Sequence, residues 1–274
     1  AAMVYSLTQY NFDKEIAEKA IEKGAKYLLN TNYVGSKDNE ALLQSSGKTI
    51  RIKYDYLVGA DGVFSTVADE MGYQLNGEVL SGPQIEVPYS GSENSVRVIL
   101  DKELTDFFIW IIPTSQGTAR VGTLNGQLSD ILAIVDKSPC LKKKILKRGG
   151  GAVPIGIKEL RKGRRFLVGD AAAQVKPLTG GGIYYGLKGA SYLADAILKN
   201  EPETYEEKWS KWKSEIESSM RYRKLYRNIP ESLLRLLFKC LAKPEVIRVI
   251  EEEADYCRHS EIVRKILSEI LSLR

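Results

Sequence analysis

Short apolar runs alternate with glycine, asparagine, serine and proline along the middle of the chain. This pattern predicts short strands joined by tight turns, as in an antiparallel sheet. The predicted strands are 85–87, 96–100, 107–112 and 119–124. A hairpin is also predicted from Ala41 to Lys53, with Ser46-Gly47-Lys48 at its turn.

The beginning of the chain has a different pattern. The first thirty residues predict one strand from Met3 and another from Tyr27. Between them lies a predicted helix, capped by Asn11 or Asp13 and ended by Gly24.

From Tyr205 onward, apolar residues recur at helical spacing, with breaks predicted at Pro230 and Pro244. We interpret the leucine and isoleucine positions of these helices as core. The alternative is an amphipathic surface that faces a membrane. These positions are Leu233, Leu237, Leu241, Ile262, Ile266 and Ile270.

Composition narrows the class of protein. Of 274 residues, 43% are hydrophobic and 27% are charged, which is typical of a folded soluble domain and excludes wholesale disorder. No stretch approaches ~18 uninterrupted apolar residues, so no spanning helix is predicted. The N-terminal segment lacks the pattern of a secretory signal, so we expect a cytoplasmic protein.

Cysteine and histidine are scarce, with three and one in the chain. Three scattered cysteines predict neither a disulfide framework nor a metal clip. The single histidine, His259, lies far from every motif, which disfavours zinc sites and Ser-His-Asp triads. Chemistry supplied by a bound cofactor is therefore favoured.

Residues 137–165 form a basic segment, with eleven Lys or Arg against one acid, Glu159. One interpretation is a solvated surface. The other is a patch that attracts phosphate, either of a reduced nicotinamide cofactor or of a lipid headgroup. Aromatic residues for stacking on bases are missing there, so no nucleic-acid partner is expected.

Two segments carry most of the functional signal. In the first, a predicted strand at 56–59 runs into Asp61-Gly62. An acid and a glycine at the carboxyl end of a buried strand are typical of a ligand site in an α/β sheet. The alternative is an ordinary strand-to-helix turn, with Ser65 as the helix cap.

In the second segment, a predicted strand at 166–168 delivers Gly169-Asp170, and Gly180-Gly181-Gly182 then opens a helix. The Asp170 carboxylate is suited to accept a hydrogen bond from a ribose hydroxyl. Backbone amides of three glycines at a helix N-terminus favour negative charge on a ligand. The helix carries a stripe of apolar and small residues, namely Ile183, Leu187, Ala190, Ala194 and Ile197.

Together these segments resemble two flavin-binding signatures of the p-hydroxybenzoate-hydroxylase superfamily. The run from Gly169 through Pro177 to Ile183 is most similar to the geranylgeranyl reductases of that superfamily. A third segment, 108–113, resembles their Tyr-x-Trp-x-Phe-Pro signature. Trp110 and Pro113 match it, while Phe108 and Ile112 are apolar replacements.

The resemblance implies a set of roles around FAD. Asp170 would hold its ribityl or ribose portion, and Asp61 and Gly62 would lie near its pyrophosphate. The isoalloxazine ring would be bordered by Pro177, Gly180, Gly181 and Gly182, and the helix that starts at Ile183 would point at a carbonyl oxygen of the flavin. Gly169, next to Asp170, would also belong to the cofactor site. An isoprenoid chain would be lined by Phe108, Trp110 and Pro113.

The implied fold is mixed α/β (α+β). It would comprise a partial FAD-binding domain (11–72 and 158–200), an antiparallel substrate domain (1–10 and 73–157) and a C-terminal helical region (201–274). The GxGxxG turn that receives the ADP half of FAD is absent from the sequence. We therefore expect either a fragment of a longer protein or a shortened relative.

The implied activity is reduction of carbon–carbon double bonds in isoprenoid chains of lipids, with NADPH or another reductant as electron donor. No residue is assigned as the proton donor, although Tyr184 and Tyr185 are conceivable. The expected partners are an isoprenoid lipid and a peripheral membrane surface. Two alternatives stay open, an FAD-dependent aromatic hydroxylase and a truncated, non-catalytic protein that binds a lipid or a partner.

Overall fold

The structure divides the chain into two units. The computed structural model describes residues 9–114, 117–241, 243–244, 247 and 258–272. They fall into two compact units, 1–55 and 56–274. The strand predicted from Met3 lies outside the described residues. The three-part domain division predicted above stays a prediction, because compactness does not assign functional roles.

The first unit contains one helix and a three-stranded antiparallel meander. Its elements are α1 (Gln9–Glu22), β1 (Thr31–Lys37), β2 (Glu40–Ser45) and β3 (Lys48–Lys53). The helix begins before both predicted caps and ends, as predicted, at Gly24 with φ +97°. The hairpin turn at Ser46-Gly47 is confirmed. The strand predicted from Tyr27 was wrong, because Leu28 and Leu29 are exposed and pairing begins at Thr31.

A five-stranded antiparallel sheet lies at the centre of the second unit, in the order β6-β7-β8-β5-β9. Its strands are β5 (Asn76–Pro88), β6 (Arg97–Ile99), β7 (Ile109–Thr114), β8 (Thr118–Thr123) and β9 (Lys147–Ile157). The four predicted strands are confirmed. Sequence reasoning missed β9, which pairs with β5 along its whole length although it contains Gly149-Gly150-Gly151.

A helix that the sequence did not predict, α3 (Leu128–Lys137), covers one face of this sheet. It buries Ile131, Ile134 and Val135 against strand residues such as Ile109 and Val121. Their side chains lose contact with water, which is the main driving force for forming this layer.

The two flavin-like segments meet in a small three-stranded sheet. It consists of β4 (Leu57–Gly59), β10 (Arg161–Lys162) and β11 (Arg165–Leu167). Strands β4 and β11 are parallel, with Leu57 opposite Arg165 and Gly59 opposite Leu167. The next helix, α2 (Thr66–Met71), packs closely, since a Cβ at Gly59 would lie 2.7 Å from the Val67 Cβ.

Helices form the remainder of the described chain. They are α4 (Ile183–Leu198), α5 (Thr204–Asn228), α6 (Glu231–Leu241) and α7 (His259–Ser272). The predicted break at Pro230 is confirmed. The apolar stripe noted along α4 is largely exposed at Ile183 and Leu187, and the buried positions are instead Tyr185, Leu193 and Ala196. None of the described helices is long and apolar enough to cross a bilayer.

Helix α5 is joined to the large sheet by an ion-pair network. The buried Arg223 donates to Glu78 (3.2 Å) and to Asp106 (3.3 Å). Arg227 donates to the same two carboxylates, at 2.7 Å to Glu78. Burial opposes ionisation of Asp106, but a hydrogen bond from Asn125 and the two guanidinium charges hold the pKa of its carboxyl below the ordinary value.

The C-terminal end of α5 is held by a second cation. Lys102 Nζ donates hydrogen bonds to the backbone carbonyls of Tyr226 (3.1 Å), Arg227 (3.0 Å) and Ile229 (2.6 Å). An ammonium group there also interacts favourably with the negative end of the helix dipole. The ion-pair network and the hydrogen bonds of Lys102 therefore both hold the C-terminal part of α5 against the large sheet and the segment that follows β6.

Asp106→Asn should lower the free energy of unfolding at pH 7 by about 2 kcal/mol, because two guanidinium groups lose a charged acceptor. The carboxylate stabilises the fold fully above its ordinary pKa of 3.8, and this stabilisation is lost as the pH falls through the lower pKa of the folded state. The difference between wild type and variant should therefore narrow below about pH 4 in urea unfolding. Asp195→Asn, which removes an exposed pair with Lys208, is the control. If the difference in unfolding free energy between wild type and Asp106→Asn stayed constant with pH, the lowered pKa of the Asp106 carboxyl would be contradicted.

Candidate functional site

The parallel pairing of β4 and β11 brings the two motif turns to the same edge of the small sheet. Asp61-Gly62 follows β4, and Gly169-Asp170 follows β11. Because carboxyl ends of neighbouring parallel strands form the ligand site of open α/β sheets, this edge is the candidate cofactor site.

The Asp61 carboxylate holds the beginning of α2. Its oxygens accept hydrogen bonds from Ser65 Oγ (2.5 Å) and from the Val67 amide (3.3 Å). Ser65 Oγ in turn accepts from the Ala68 amide at 3.0 Å, as an N-cap does. Gly62 has φ +81° and open space where a Cβ would be. That this turn lies near the pyrophosphate of FAD stays a prediction. Gly62 fits it better than Asp61, because the Asp61 carboxylate already accepts hydrogen bonds from Ser65 and Val67.

Asp170 is a half-buried carboxylate at the start of a short 3-10 turn. Burial raises the pKa of its carboxyl. Among the residues that the structure describes, no hydrogen-bond donor to it is recorded. A Cβ at Gly182 would lie 3.0 Å from Asp170 Oδ1, so the glycine keeps the space beside the carboxylate free. An acceptor without a partner, next to such a space, fits a hydroxyl-bearing ligand such as the ribityl chain of FAD.

The glycine-rich loop satisfies part of its own hydrogen bonding. The Gly180 amide donates to the Lys176 carbonyl (2.9 Å), and the Lys176 amide donates to the Gly181 carbonyl (3.1 Å). The expectation that this stretch exposes several amides therefore fails at Gly180. Within the described residues, the amides of Gly181 and Gly182 have no recorded acceptor and precede α4, where a partial negative charge is favoured.

A buried amide fixes the Gly169 turn. Gln174 is fully buried, and its Oε1 accepts from the Gly169 amide at 2.8 Å. Its Nε2 donates to the Tyr205 hydroxyl (2.9 Å), which donates to the Leu167 carbonyl (2.7 Å). A Cβ at Gly189 would overlap the Gln174 amide. These hydrogen bonds tie β11, the turn and α5 together, and α4 packs against the Gln174 amide at Gly189. Sequence reasoning did not single out Gln174 or the Tyr205 side chain.

An apolar cavity of about 340 Å³ lies next to the glycine-rich loop. Leu178, within the loop, is one of its walls, and Gly180 packs against Leu124 and Phe107. Helices α5, α6 and α7 supply most of the rest. The wall residues from these helices are Tyr222, Arg223, Leu225, Tyr226, Leu234, Leu237, Leu241, Val263, Ile266 and Leu267.

The three residues predicted to contact an isoprenoid chain are placed differently. Phe108 lines the cavity, together with its stacked neighbour Phe107. Trp110 lies over Gly122 in the sheet, with its indole N–H donating to Gln84 at 3.2 Å. Neither Trp110 nor Pro113 is among the cavity walls.

Several helix positions interpreted as core form the wall of this cavity, including Leu237, Leu241 and Ile266. Leu233 is exposed, and the Ile270 side chain lies outside the described residues. Of the two conceivable proton donors, Tyr185 is buried between Trp209 and Trp212.

Comparisons with known proteins agree with a flavin site. A family model described as an FAD binding domain matches residues 1–136. An uncharacterised protein of Methanocaldococcus jannaschii is 31% identical over 280 residues, covering 94% of this chain and 72% of the relative. A digeranylgeranylglycerophospholipid reductase of the same organism is 28% identical over 284 residues, covering 88% and 70%.

Solved structures share the fold. A geranylgeranyl bacteriochlorophyll reductase-like protein from Thermoplasma acidophilum has a TM-score of 0.78 at 19% identity, over 95% of this chain and 74% of that one. The anhydrotetracycline hydroxylase OxyS of Streptomyces rimosus has a TM-score of 0.64 at 16% identity, over 89% and 55%. Identities this low establish the fold alone.

The matched domain and the curated relatives define the class as an FAD-dependent oxidoreductase, and the residues at the sheet edge fit that cofactor. Within this class, the chain belongs to the family of geranylgeranyl reductase-like flavoproteins.

Asp170→Asn should raise the dissociation constant for FAD roughly 10- to 100-fold, because a neutral amide is a weaker acceptor for a hydroxyl than a carboxylate. The flavin-free protein should be at least as stable as wild type, since a half-buried charge without a partner is removed. Flavin fluorescence during titration measures the affinity. Asp136→Asn, at an exposed ion pair on α3, should leave it unchanged. Tight FAD binding by the Asp170 variant would refute the assigned contact.

Two glycines inside α4 provide a matched test of the Gln174 amide. Alanine at either position gains up to about 1 kcal/mol of helix propensity. At Gly186 the new Cβ lies 3.4 Å from Gly169 Cα, an ordinary contact, whereas at Gly189 it displaces the Gln174 side chain. Gly189→Ala should therefore destabilise by about 2 kcal/mol in urea unfolding, and Gly186→Ala should be neutral or stabilising. Equal effects at the two positions would show that the amide does not hold the turn.

Proposed function

We propose that this flavoprotein reduces carbon–carbon double bonds in the isoprenoid chains of lipids. The observation that carries the proposal is the apolar cavity that the glycine-rich loop lines at Leu178, and whose wall residue Phe107 packs near Gly180. A hydrocarbon chain in this cavity would lie beside the segment to which we assign the flavin ring. Hydride delivery requires this proximity of the two reactants.

The cavity walls favour a hydrocarbon. Apart from two tyrosine rings, nearly all wall residues are leucine, isoleucine, valine or phenylalanine. The two charged wall residues, Asp106 and Arg223, are paired with each other at 3.3 Å. Binding here would depend on apolar area and shape, which is how a prenyl chain is recognised.

Different residues of the chain would have different roles around the bound cofactor. FAD, when bound and reduced, supplies the hydride. The Asp170 carboxylate would hold the polyol part of the cofactor, and the N-terminus of α4 would stabilise negative charge beyond Gly182. The leucine walls would exclude water from the reacting carbon atoms. We keep NADPH as the proposed electron donor and assign no proton donor.

The curated relatives support the lipid assignment. Several are named digeranylgeranylglycerophospholipid reductases, at 24–28% identity. We therefore propose a glycerolipid that carries geranylgeranyl-type chains as the substrate class.

An aromatic hydroxylase is the second candidate, since OxyS shares the fold. A phenol with several polar substituents would need several free polar groups for its orientation. The charges of this cavity are paired with each other, and the Tyr226 hydroxyl is the wall group that its burial leaves without a partner within the described residues, so the lining favours a hydrocarbon.

Anaerobic reoxidation of the reduced flavin by a geranylgeranyl glycerolipid is the direct test. Leu237→Trp fills the cavity and should raise the KM for the lipid at least tenfold, while the rate of flavin reduction by NADPH or dithionite stays unchanged. Leu198→Trp, at an exposed position of α4, is the control. Absence of reoxidation by any prenyl lipid would refute the proposal. NADPH-driven oxygen uptake stimulated by an aromatic acid would favour the hydroxylase, and a colourless protein that binds lipid would favour the non-catalytic alternative.

A further inference from the structure

The wall of the apolar cavity includes a polar group that the described part of the fold leaves unsatisfied. Tyr226, on α5, is a wall residue, and its hydroxyl oxygen is buried from solvent. Within the described residues this hydroxyl has no hydrogen-bond partner. A buried phenol is expected to have one, and leaving it unpaired is unfavourable. A molecule that occupies the cavity can supply the missing partner.

The charged groups near Tyr226 do not offer it an acceptor. Burial, and then the negative charge of Asp106, raise the pKa of the Tyr226 hydroxyl, so this carboxylate lies nearby. Its oxygens already accept hydrogen bonds from Asn125 (2.8 Å), Arg223 (3.3 Å) and Arg227. The guanidinium groups are donors only. The hydroxyl is thus left facing groups that cannot satisfy it.

The ring that carries this hydroxyl is held in place. Lys102 Nζ donates to the backbone carbonyl of Tyr226 at 3.1 Å. The same ammonium group lies over the Tyr226 ring, 5.5 Å from its centroid, which is a favourable cation–π arrangement. Moving the ring into water would lose this contact and expose apolar ring surface. We therefore expect the hydroxyl to stay at the cavity wall.

We propose that the Tyr226 hydroxyl donates a hydrogen bond to an oxygen atom at the head of the hydrocarbon chain that fills the cavity. A prenyl chain carries no acceptor of its own, so the oxygen is the ether, ester or alcohol oxygen to which the chain is attached. This assignment rests on the proposed function and adds to it a polar group that fixes one end of the lipid. A bare hydrocarbon would leave the hydroxyl unpaired and bind less well.

Tyr226 is assigned to binding and not to protonation of the alkene. Burial and the Asp106 carboxylate raise the pKa of its hydroxyl, which keeps the group protonated and makes it a weaker acid. A group of this kind suits hydrogen-bond donation to a neutral oxygen.

Stability of the ligand-free protein gives the first test. Tyr226→Phe removes the hydroxyl and keeps the ring, so the variant should be at least as stable as wild type in urea unfolding. A clear loss of stability would show that the hydroxyl already has a partner in the protein or a bound water, and would overturn the proposal.

Saturated probes separate the oxygen from the chain. Tetrahydrogeraniol, its methyl ether and the hydrocarbon of the same skeleton cannot be reduced, so calorimetric titration of the flavin-loaded protein measures binding alone. Tyr226→Phe should raise the dissociation constants of the alcohol and of the ether about tenfold and leave that of the hydrocarbon unchanged. Tyr56→Phe, which removes a hydroxyl bonded to Asn200 at the surface, is the control and should change none of the three.

Two results of this titration would overturn the proposal. Equal changes for all three probes would indicate lost packing, and an unchanged affinity for the ether, which can only accept, would exclude donation by the hydroxyl. Comparison of the alcohol with the ether in wild type shows whether a free prenyl alcohol or an ether lipid is the better ligand.

Turnover distinguishes this inference from the proposed function. If a prenyl lipid is reduced and Tyr226→Phe leaves the affinity for both oxygenated probes unchanged, the hydrogen bond is refuted and the proposed function stands. If the oxygenated probes bind through Tyr226 and no prenyl lipid reoxidises the flavin, the proposed reduction is refuted and the binding role of Tyr226 stands.

Discussion

The second unit depends on three buried polar side chains of α5, Tyr205, Glu215 and Arg223, each of which needs a partner from another element. Near its start the Tyr205 hydroxyl is bonded to the Gln174 amide. In its middle the buried Glu215 accepts hydrogen bonds from the backbone amide and hydroxyl of Ser260, at the start of α7. Near its end Arg223 is paired with the sheet. Because each partner belongs to a different element, one helix positions the cofactor turn, α7 and the sheet.

Such buried pairs favour one packing of α5 over others more than they add to the free energy of unfolding. Moving a charge out of water costs about as much as the pairing returns, but a charge left buried without its partner is strongly unfavourable. Other packings of α5 would leave the charge of Glu215 or Arg223 buried without a partner, and this unfavourable free energy excludes them. The cavity wall and the cofactor turn consequently keep a fixed relation to each other, as hydride transfer between two bound molecules requires.

Local patterns predicted the four central strands, the hairpin and the helix ends at Gly24 and before Pro230. They failed where a distant partner decides the outcome. Strand β9 has the glycines of a loop and is extended because β5 offers it a complete ladder. Trp110 matches a substrate motif in sequence, yet the glycine opposite it, Gly122, lets its ring lie on the sheet. The cavity walls come from segments more than one hundred residues apart, and no local signal reports how those segments pack.

The same reasoning explains why the two flavin signatures alone could not distinguish a reductase from a hydroxylase. Cofactor turns depend on local geometry, such as the positive φ of Gly169, and hydroxylases of this fold are expected to share them. The substrate class depends instead on the cavity walls. Here the charged pair of Asp106 and Arg223 is already satisfied, and the rest of the wall is apolar except for the tyrosines, of which Tyr226 has a buried hydroxyl without a hydrogen-bond partner among the described residues. A site of this kind discriminates weakly between homologous hydrocarbon chains, by about 1–3 kcal/mol for each methylene, so under the proposed function it would select a class of chains more than one precise lipid.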